Sequence, residues 1–213
     1  MAANESSDAN AGAKLVGHAH GRMVLARRIE VLARALAPFL PARSSILDVG
    51  CGNGLLAARL SKLAPDMTVR GVEVHARPDC AISYDLFDGE RLPFEHAAFD
   101  GCLFVDVLHH TRTPEVILAE ARRVSRQFIL IKDHLSESAV DRATLRFMDW
   151  VGNRAHGVAL PYNYLSRAQW DAMFESVGLR RARSEPHVAL YPFPFSWVFG
   201  RGLHFIALLE VRR

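Results

Sequence analysis

The sequence is poor in several features, and each shortage excludes a class of protein. It has only three cysteines, Cys51, Cys80 and Cys102, without C-x-x-C spacing, which argues against a disulfide framework or a cysteine zinc site. It has no run of about 18 apolar residues, and residues 1–13 lack the apolar segment of a signal peptide. We therefore expect reduced thiols, a disordered tail over residues 1–13, no transmembrane segment and a cytoplasmic location.

Lysine is scarce as well, because the 26 basic residues comprise 23 arginines and three lysines. The 23 acidic residues are spread along the chain, the formal net charge is only +3, and there is no basic block. This distribution does not predict a nucleic-acid partner. With 213 residues, of which 50% are hydrophobic, the chain can bury one substantial core, so we expect a single domain over residues 14–213.

Strand-like and helical segments alternate along the rest of the chain, which predicts a doubly wound α/β fold with a parallel sheet. Thr113 is a predicted helix cap, and Ser166 with Gln169 predicts a capping box. The predicted strands are 45–50, 68–74, 80–84, 99–106, 127–133, 180–186 and 203–211, and the predicted helices are 23–36, 54–64, 114–124 and 141–150.

The segment from Ile46 to Leu56 is the most informative part of the sequence, since a buried strand runs there into a glycine-rich turn and then a helix. Such a turn lets the backbone approach a ligand closely, so it predicts a nucleotide-like ligand. The third glycine, however, comes one residue earlier than in the G-x-G-x-x-G pattern of dinucleotide folds. Asp48 beside the turn favours a ligand with cationic or hydroxyl groups.

Acidic residues and histidines follow the predicted strands, where ligands bind in a parallel α/β sheet. Strand one ends at Asp48, strand two at Glu73, strand three near 85–88 and strand four at 106–110. Because Glu73 lies 23 residues after Gly50, its carboxylate is suited to two neighbouring ribose hydroxyls.

These motifs, in this order, resemble the class I S-adenosylmethionine-dependent methyltransferases, in particular the methyltransferase type 11-like branch. The matching segments are 48–52, 73, 88–94 and 99–110. The resemblance implies a Rossmann-like, seven-stranded, mostly parallel sheet with an antiparallel last strand and a small helical lid over 136–165. It also implies S-adenosylmethionine as cofactor, which leaves as S-adenosylhomocysteine. The implied cofactor-binding residues are Asp48, Gly50, Cys51 and Gly52 for the methionine end, Glu73 for the ribose, Asp88 and Gly89 for the adenine, and Asp106 beside both cofactor and substrate.

Methyl transfer from a sulfonium requires in-line placement, exclusion of water and, for a weakly acidic acceptor, a base. His109, His110 and His134 are the candidate bases, since imidazole titrates near neutrality. Each of them would equally serve as a packing or capping residue. Asp106 and Asp133 stand where a catechol-type relative binds a cation, but His134 replaces an expected oxygen ligand, so no metal is predicted.

The lid segment is where the acceptor is expected to bind, with the aromatic residues Phe147, Trp150, Tyr162 and Tyr164 as candidate lining. The sequence predicts methyl transfer to a small apolar or aromatic metabolite. Two alternatives stay open, an RNA or protein methyltransferase and a non-catalytic, cofactor-binding partner subunit. The acceptor atom is open as well, and the sequence is compatible with either a monomer or a homodimer.

Overall fold

The computed structural model describes residues 21, 23–153, 162–186, 188, 190–191, 193, 196–200 and 202–212. The strands are β1 (Ser45–Val49), β2 (Thr68–Glu73), β3 (Tyr84–Leu86), β4 (Phe99–Val105), β5 (Ser125–His134), β6 (Leu179–Glu185) and β7 (His204–Val211). The helices are α1 (23–36), α2 (Leu55–Leu63), α3 (Pro114–Val124), α4 (Ala139–Asn153), α5 (Arg167–Ser176) and α6 (Ser196–Phe199), with 3-10 turns at Ala37–Phe39 and Leu108–His110.

All seven strands form one sheet in the order β3-β2-β1-β4-β5-β7-β6. Strands β1 to β5 run parallel, whereas β7 is antiparallel to both β5 and β6. One core packs α3 and α5 against the sheet and a second packs α1 and α2 against it. The doubly wound, mostly parallel fold predicted from the sequence is therefore confirmed, and the carboxyl ends of β1, β2, β4 and β5 share one edge.

The two predicted helix caps differ in outcome. Gln169 donates its backbone N–H to the Ser166 hydroxyl at 3.3 Å, and Ser166 donates its N–H back to the Gln169 side chain at 2.9 Å, so the capping box is confirmed. Helix α3 begins at Pro114 as predicted, but the Thr113 side chain makes no capping hydrogen bond. That prediction is wrong because Thr113 has ψ of 70°, well short of the extended backbone that aims a capping hydroxyl at the first-turn amides.

The third strand is shorter than predicted and begins later. Residues 80–82 do not pair as a strand but pack over the glycine turn, where the Ala81 N–H donates to the Asn53 carbonyl at 2.9 Å. A Cβ on Gly54 would lie 2.8 Å from both Cys80 and Ile82, so this packing leaves no room for a side chain at that glycine. Cys80 consequently lies outside the sheet, and all three cysteines are free thiols.

The insertion after β5 contains one long helix, α4, which extends beyond the predicted 141–150 at both ends. Its Phe147 and Trp150 are largely exposed, contrary to their predicted place in an acceptor pocket. The polar residues 1–13 and the stretch 154–161 lie outside the described residues. In the part of the chain that the structure describes, no helix is long and apolar enough to cross a bilayer.

Candidate active site

The glycine turn between β1 and α2 adopts the left-handed backbone that its sequence predicts, with φ of 72° at Gly50 and 57° at Gly52. The N–H groups of Gly50 and Cys51 both donate to the Val72 carbonyl, at 2.9 and 3.1 Å, which ties the turn to β2. A Cβ on Gly50 would lie 2.7 Å from Val107, whereas one on Gly52 would meet nothing within 4 Å. The turn is therefore packed on one side and open at Gly52.

Glu73, the last residue of β2, lies beside this opening and is 6% exposed. One of its carboxylate oxygens accepts the Gly52 N–H at 2.9 Å, and the other accepts the Val74 N–H at 2.8 Å. Each oxygen has two lone pairs, so both can still accept a hydrogen bond from a ligand. The side chain is thus held rigidly with its remaining acceptors available, as a pair of ribose hydroxyls would require.

Asp48 is buried at the end of β1, 4% exposed, and within the described chain no group donates a hydrogen bond to its carboxylate. Burial, together with the nearby charge of Glu73, raises its pKa to about 7. A buried carboxylate without a donor is costly, and a cationic ligand would compensate it. This is the strongest electrostatic feature on the cofactor side of the sheet.

Asp88 is exposed and stabilises its own turn, since one carboxylate oxygen accepts the N–H groups of Glu90 and Arg91 at 2.8 and 2.7 Å. These two backbone N–H groups lower the pKa of Asp88, and that of Arg91 has the larger effect. Gly89 follows with φ of 90°, a conformation that favours glycine. The turn comes directly after Phe87, whose N–H donates to the Glu73 carbonyl at 3.2 Å, so it lies next to the ribose candidate.

Asp106 follows β4 and has a positive φ of 56°, which is unusual for a residue other than glycine. Arg28 of α1 donates to one of its carboxylate oxygens at 2.6 Å, and the fully buried Lys132 of β5 donates to the other. Burial opposes its ionisation, but these two cations outweigh burial and hold its pKa well below the usual value. The carboxylate thus fastens α1 to the edge where β4 and β5 end.

His109 and Asp133 form a buried pair at this edge, 1% and 0% exposed. The two side chains share a hydrogen bond of 2.6 Å between His109 Nδ1 and the carboxylate, which also accepts the Leu108 N–H at 3.0 Å. Burial disfavours both charges, but their mutual attraction raises the pKa of His109 and holds that of Asp133 far below its usual range. The pairing fixes the orientation of the His109 ring.

The other two candidate bases, His134 and His110, lie against His109. Their surroundings favour the neutral imidazole. His134 Nδ1 lies 3.2 Å from His109 Nδ1, and burial and the charge on His109 lower the pKa of His134. The His110 ring packs against that of His109 with ring centroids 3.9 Å apart and the planes tilted by 45°, and the same two causes lower the pKa of His110 to about 4. The structure therefore brings all three predicted histidines into one cluster.

The insertion covers this cluster with two polar side chains. Asp149 of α4 is 8% exposed and has a carboxylate oxygen 3.5 Å from His109 Nε2. Tyr164, which is 5% exposed, donates its hydroxyl to that carboxylate and stacks on His109 at 5.9 Å between ring centroids. Burial and the adjacent carboxylate raise the pKa of the Tyr164 hydroxyl, so it remains a donor. The insertion thus closes over the histidines.

Sequence reasoning missed Asp149, Arg28 and His204 as members of this site. The His204 ring of β7 lies 4.9 Å from that of His134 between centroids. A signal existed for Asp149, since it lies four residues after the fully buried Leu145 and so occupies the inward face of α4. An acid on an inward helical face requires a partner. No comparable signal marks Arg28, because α1 carries arginines on several faces.

Comparison with known proteins agrees with this geometry. Residues 47–127 match the family model described as a methyltransferase domain. The chain is 30% identical over 110 residues to the 27-O-demethylrifamycin SV methyltransferase of Amycolatopsis mediterranei, an alignment covering 45% of this chain and 40% of that protein. It is also 30% identical over 103 residues to the ubiquinone biosynthesis O-methyltransferase of Parvibaculum lavamentivorans, covering 44% and 40%. The matched region is thus less than half of either relative.

Among solved structures, an S-adenosylmethionine-dependent methyltransferase from Thermotoga maritima superposes with a TM-score of 0.65. The superposition covers 92% of this chain and 96% of that one at 18% sequence identity. At such low identity the match establishes the fold alone. It extends the agreement in fold from the matched segment to 92% of this chain.

Proposed function

We propose that this chain, whose residues 47–127 match the family model of a methyltransferase domain, transfers the methyl group of S-adenosylmethionine to a small molecule. The observation that carries the proposal is the buried, donor-free carboxylate of Asp48 beside the open Gly52 and the rigidly held Glu73. That arrangement suits a ligand with an ammonium group and two neighbouring hydroxyls. S-adenosylmethionine has both, on its methionine and ribose parts.

The cofactor would extend along the carboxyl ends of β1, β2 and β3. Asp48 would take the ammonium group, Glu73 the two ribose hydroxyls, and the turn at Asp88 and Gly89 the adenine. The backbone of Gly50, Cys51 and Gly52 would line the methionine part. Such charge pairing is strong at Asp48, because both partners leave water for a buried site.

For methyl transfer, the protein must hold the acceptor in line with the methyl–sulfur bond and exclude water from the site. A lone pair of the acceptor forms the bond to the methyl carbon, while the carbon–sulfur bond breaks and its electron pair returns to sulfur. The acceptor's proton would pass to an imidazole nitrogen of the histidine cluster. We assign His109 as the histidine that acts on the acceptor. Asp133 holds its Nδ1 in place, and its Nε2 lies beside Asp149.

The acceptor is proposed to be a small hydroxyl-bearing molecule rather than RNA or protein. The two relatives named above are, by their names, a methyltransferase of 27-O-demethylrifamycin SV and an O-methyltransferase of ubiquinone biosynthesis, and the net charge of +3 gives no reason to expect a polyanion. His109 Nε2 is buried beneath Asp149 and Tyr164, so the acceptor would reach it only when this part of the insertion moves aside. Access that depends on a short stretch of the insertion favours a small ligand over a polymer.

The direct test is transfer of a labelled methyl group from S-adenosylmethionine into a cell extract, followed by separation of small molecules, RNA and protein. We expect label in the small-molecule fraction, and mass spectrometry would then identify the product. Glu73→Gln should abolish the labelling, whereas Glu90→Gln, an exposed acid in the turn after Asp88, should not. Label in RNA or protein would overturn the proposed acceptor. Tight cofactor binding without any labelled product would favour a non-catalytic partner subunit.

A further inference from the structure

Three sets of acidic and histidine side chains at the exits of β4 and β5 place their ligand atoms within 4.8 Å of one another. In the first, Asp106 with His134 and His204, the ammonium of Lys132 already supplies a cation: it contacts Asp106 and lies 3.2 Å from His204 Nδ1. In the second, His109 Nδ1 and the His134 backbone N–H bond to Asp133 at 2.6 and 2.7 Å. The second set is internally satisfied, and in the first the Lys132 ammonium already takes the place of a cation, although His204 Nε2 has no hydrogen-bond partner among the described residues.

The third set, His109, His110 and Asp149, differs because two of its nitrogens have no partner. His109 Nε2 and His110 Nδ1 are both buried, and no described residue forms a hydrogen bond with either. Leaving a buried polar atom unpaired costs about 1–3 kcal/mol. His109 is itself 1% exposed, and its Nε2 lies 3.5 Å from a carboxylate oxygen of Asp149 without forming a hydrogen bond.

These distances suit a small divalent ion. A tetrahedral ion with bonds of about 2.0–2.1 Å to nitrogen and oxygen holds its ligand atoms roughly 3.3 Å apart. The 3.5 Å between His109 Nε2 and the Asp149 oxygen is close to that separation. One ring nitrogen of His110 lies within 4.8 Å of the other two ligand atoms, so a small adjustment of this ring would complete the site.

The surrounding hydrogen bonds match those of metal ligands. A metal-bound histidine usually donates its other N–H to a carboxylate, which fixes the tautomer and the ring orientation. His109 makes that contact with Asp133 at 2.6 Å. Asp149 in turn accepts the hydroxyl of Tyr164, which orients the third ligand.

We propose that His109, His110 and Asp149 bind a divalent transition-metal ion of the Zn²⁺ or Co²⁺ type, through Nε2, Nδ1 and one carboxylate oxygen. Two imidazoles and one carboxylate favour such ions over Mg²⁺ or Ca²⁺, which prefer oxygen ligands. Three protein ligands leave a fourth position open for an acceptor oxygen. In this respect the inference rests on the proposed function: His109 would act on the acceptor through the ion.

The test uses untagged, full-length protein that has been stripped with a chelator and then titrated with Co²⁺. We expect one equivalent of Co²⁺ to bind, with the visible absorption of a four-coordinate ion, and Zn²⁺ to displace it. Asp149→Asn and His110→Gln should each weaken binding by about 10-fold or more. The matched control is His96→Gln, at an exposed histidine outside the cluster, which should bind as wild type does.

Absence of Co²⁺ binding by the folded wild-type protein would overturn the inference, as would binding that the His96 and His110 variants lose equally. Circular dichroism of each stripped variant separates loss of the site from loss of the fold. The proposed function fails differently: no labelled product would form with or without added metal. Labelled product that forms undiminished after chelation would leave the methyltransferase proposal intact and remove the metal.

Discussion

The two halves of the candidate site differ in whether their charged side chains are paired within the protein. On the cofactor side, Asp48 has no hydrogen-bond donor in the described chain, and Glu73 is held by backbone N–H groups, with Arg77 Nε no closer than 3.9 Å to its carboxylate. On the acceptor side, Asp106 and Asp133 each lie against cationic or histidine side chains. The first half is arranged to receive a charged ligand, and the second is neutralised internally.

This difference fits the demands of methyl transfer. The cofactor carries charges and hydroxyls that need complementary groups, whereas the acceptor side must keep water out of a covered site. A closed cluster with its charges paired can be covered by the insertion without exposing a bare charge to an apolar surface. Only His109 Nε2, His110 Nδ1 and His204 Nε2 in the cluster are left unpartnered by the described residues, and the first two face Asp149.

The largest expected effect comes from the acceptor side. His109→Gln should lower the rate of label transfer by about 100-fold to 10,000-fold, because the group that acts on the acceptor is lost. Asp133→Asn should lower it as well, because an amide can no longer fix the same His109 tautomer. The measurement is single-turnover transfer with saturating labelled cofactor. A rate within threefold of wild type for His109→Gln would remove this histidine from the chemistry.

The next effect belongs to the cofactor side. Glu73→Gln should weaken S-adenosylhomocysteine binding by about 100-fold. The amide has only one acceptor oxygen, so one backbone N–H loses its acceptor, and the contact with the ribose is weakened as well. Calorimetry measures the change, with Glu90→Gln as the matched acid variant. Unchanged affinity in Glu73→Gln would show that this carboxylate does not contact the cofactor.

The pH dependence of cofactor affinity sharpens the comparison further. The pKa of Asp48 is raised to about 7, so below that pH the cofactor's ammonium must displace a proton from the carboxyl group. Affinity for S-adenosylhomocysteine should therefore fall about tenfold per pH unit below 7 and level off above it. Asp48→Asn should bind weakly and without this slope. A flat profile for the wild type would contradict the assignment of Asp48 to the ammonium.

The raised pKa of Asp48 also affects the stability of the protein. Raising the pH, which favours cofactor binding, lowers stability. Between pH 4 and 7 the folded protein holds a proton on Asp48 that the unfolded chain has released, so this residue makes the protein less stable as pH rises. Asp48→Asn should therefore stabilise the cofactor-free protein at pH 8, by an amount on the order of 2–4 kcal/mol. Denaturant unfolding at pH 5 and pH 8 measures it. No gain at pH 8 would mean that Asp48 has a donor in solution.

The smallest expected effects are on stability, and they distinguish the packed part of the glycine turn at Gly50 from its open part at Gly52. Gly50→Ala places a Cβ 2.7 Å from Val107 at a positive φ, and it should cost about 1–3 kcal/mol of unfolding free energy. Gly52→Ala meets open space, so it should cost about 1 kcal/mol of backbone strain but lose cofactor affinity, because its Cβ enters the ligand's space. Calorimetry and denaturant unfolding of both variants test this. Equal losses of stability would show that the turn is not open at Gly52.

The cofactor side was predictable because its residues follow one another along the chain. Asp48, the glycine turn and Glu73 lie at the ends of two adjacent parallel strands, and the strand pattern alone brings them together. The same pattern predicted the order of elements, whereas the antiparallel last strand was implied by the family resemblance. The third strand was misplaced because the packing of residues 80–82 over Gly54 is a tertiary contact with no local signature.

The acceptor side was only partly predictable because its residues come from distant segments. The histidines at 109, 110 and 134 follow β4 and β5, so their meeting could be predicted. Arg28 on α1 and Asp149 on α4 join them through helix packing, whose rotation and depth the sequence pattern does not give. The pairing of Lys132 with Asp106 similarly depends on the burial of both side chains between strands.

The central claim is that cofactor binding and action on the acceptor are assigned to separate surroundings, one with an uncompensated carboxylate and the other with its charges paired internally. The most direct measurement is the affinity of S-adenosylhomocysteine for wild type, Glu73→Gln and His109→Gln, which needs no knowledge of the acceptor. The account predicts that Glu73→Gln loses about 100-fold in affinity, while His109→Gln stays within about threefold of wild type. Equal losses in the two folded variants would contradict it.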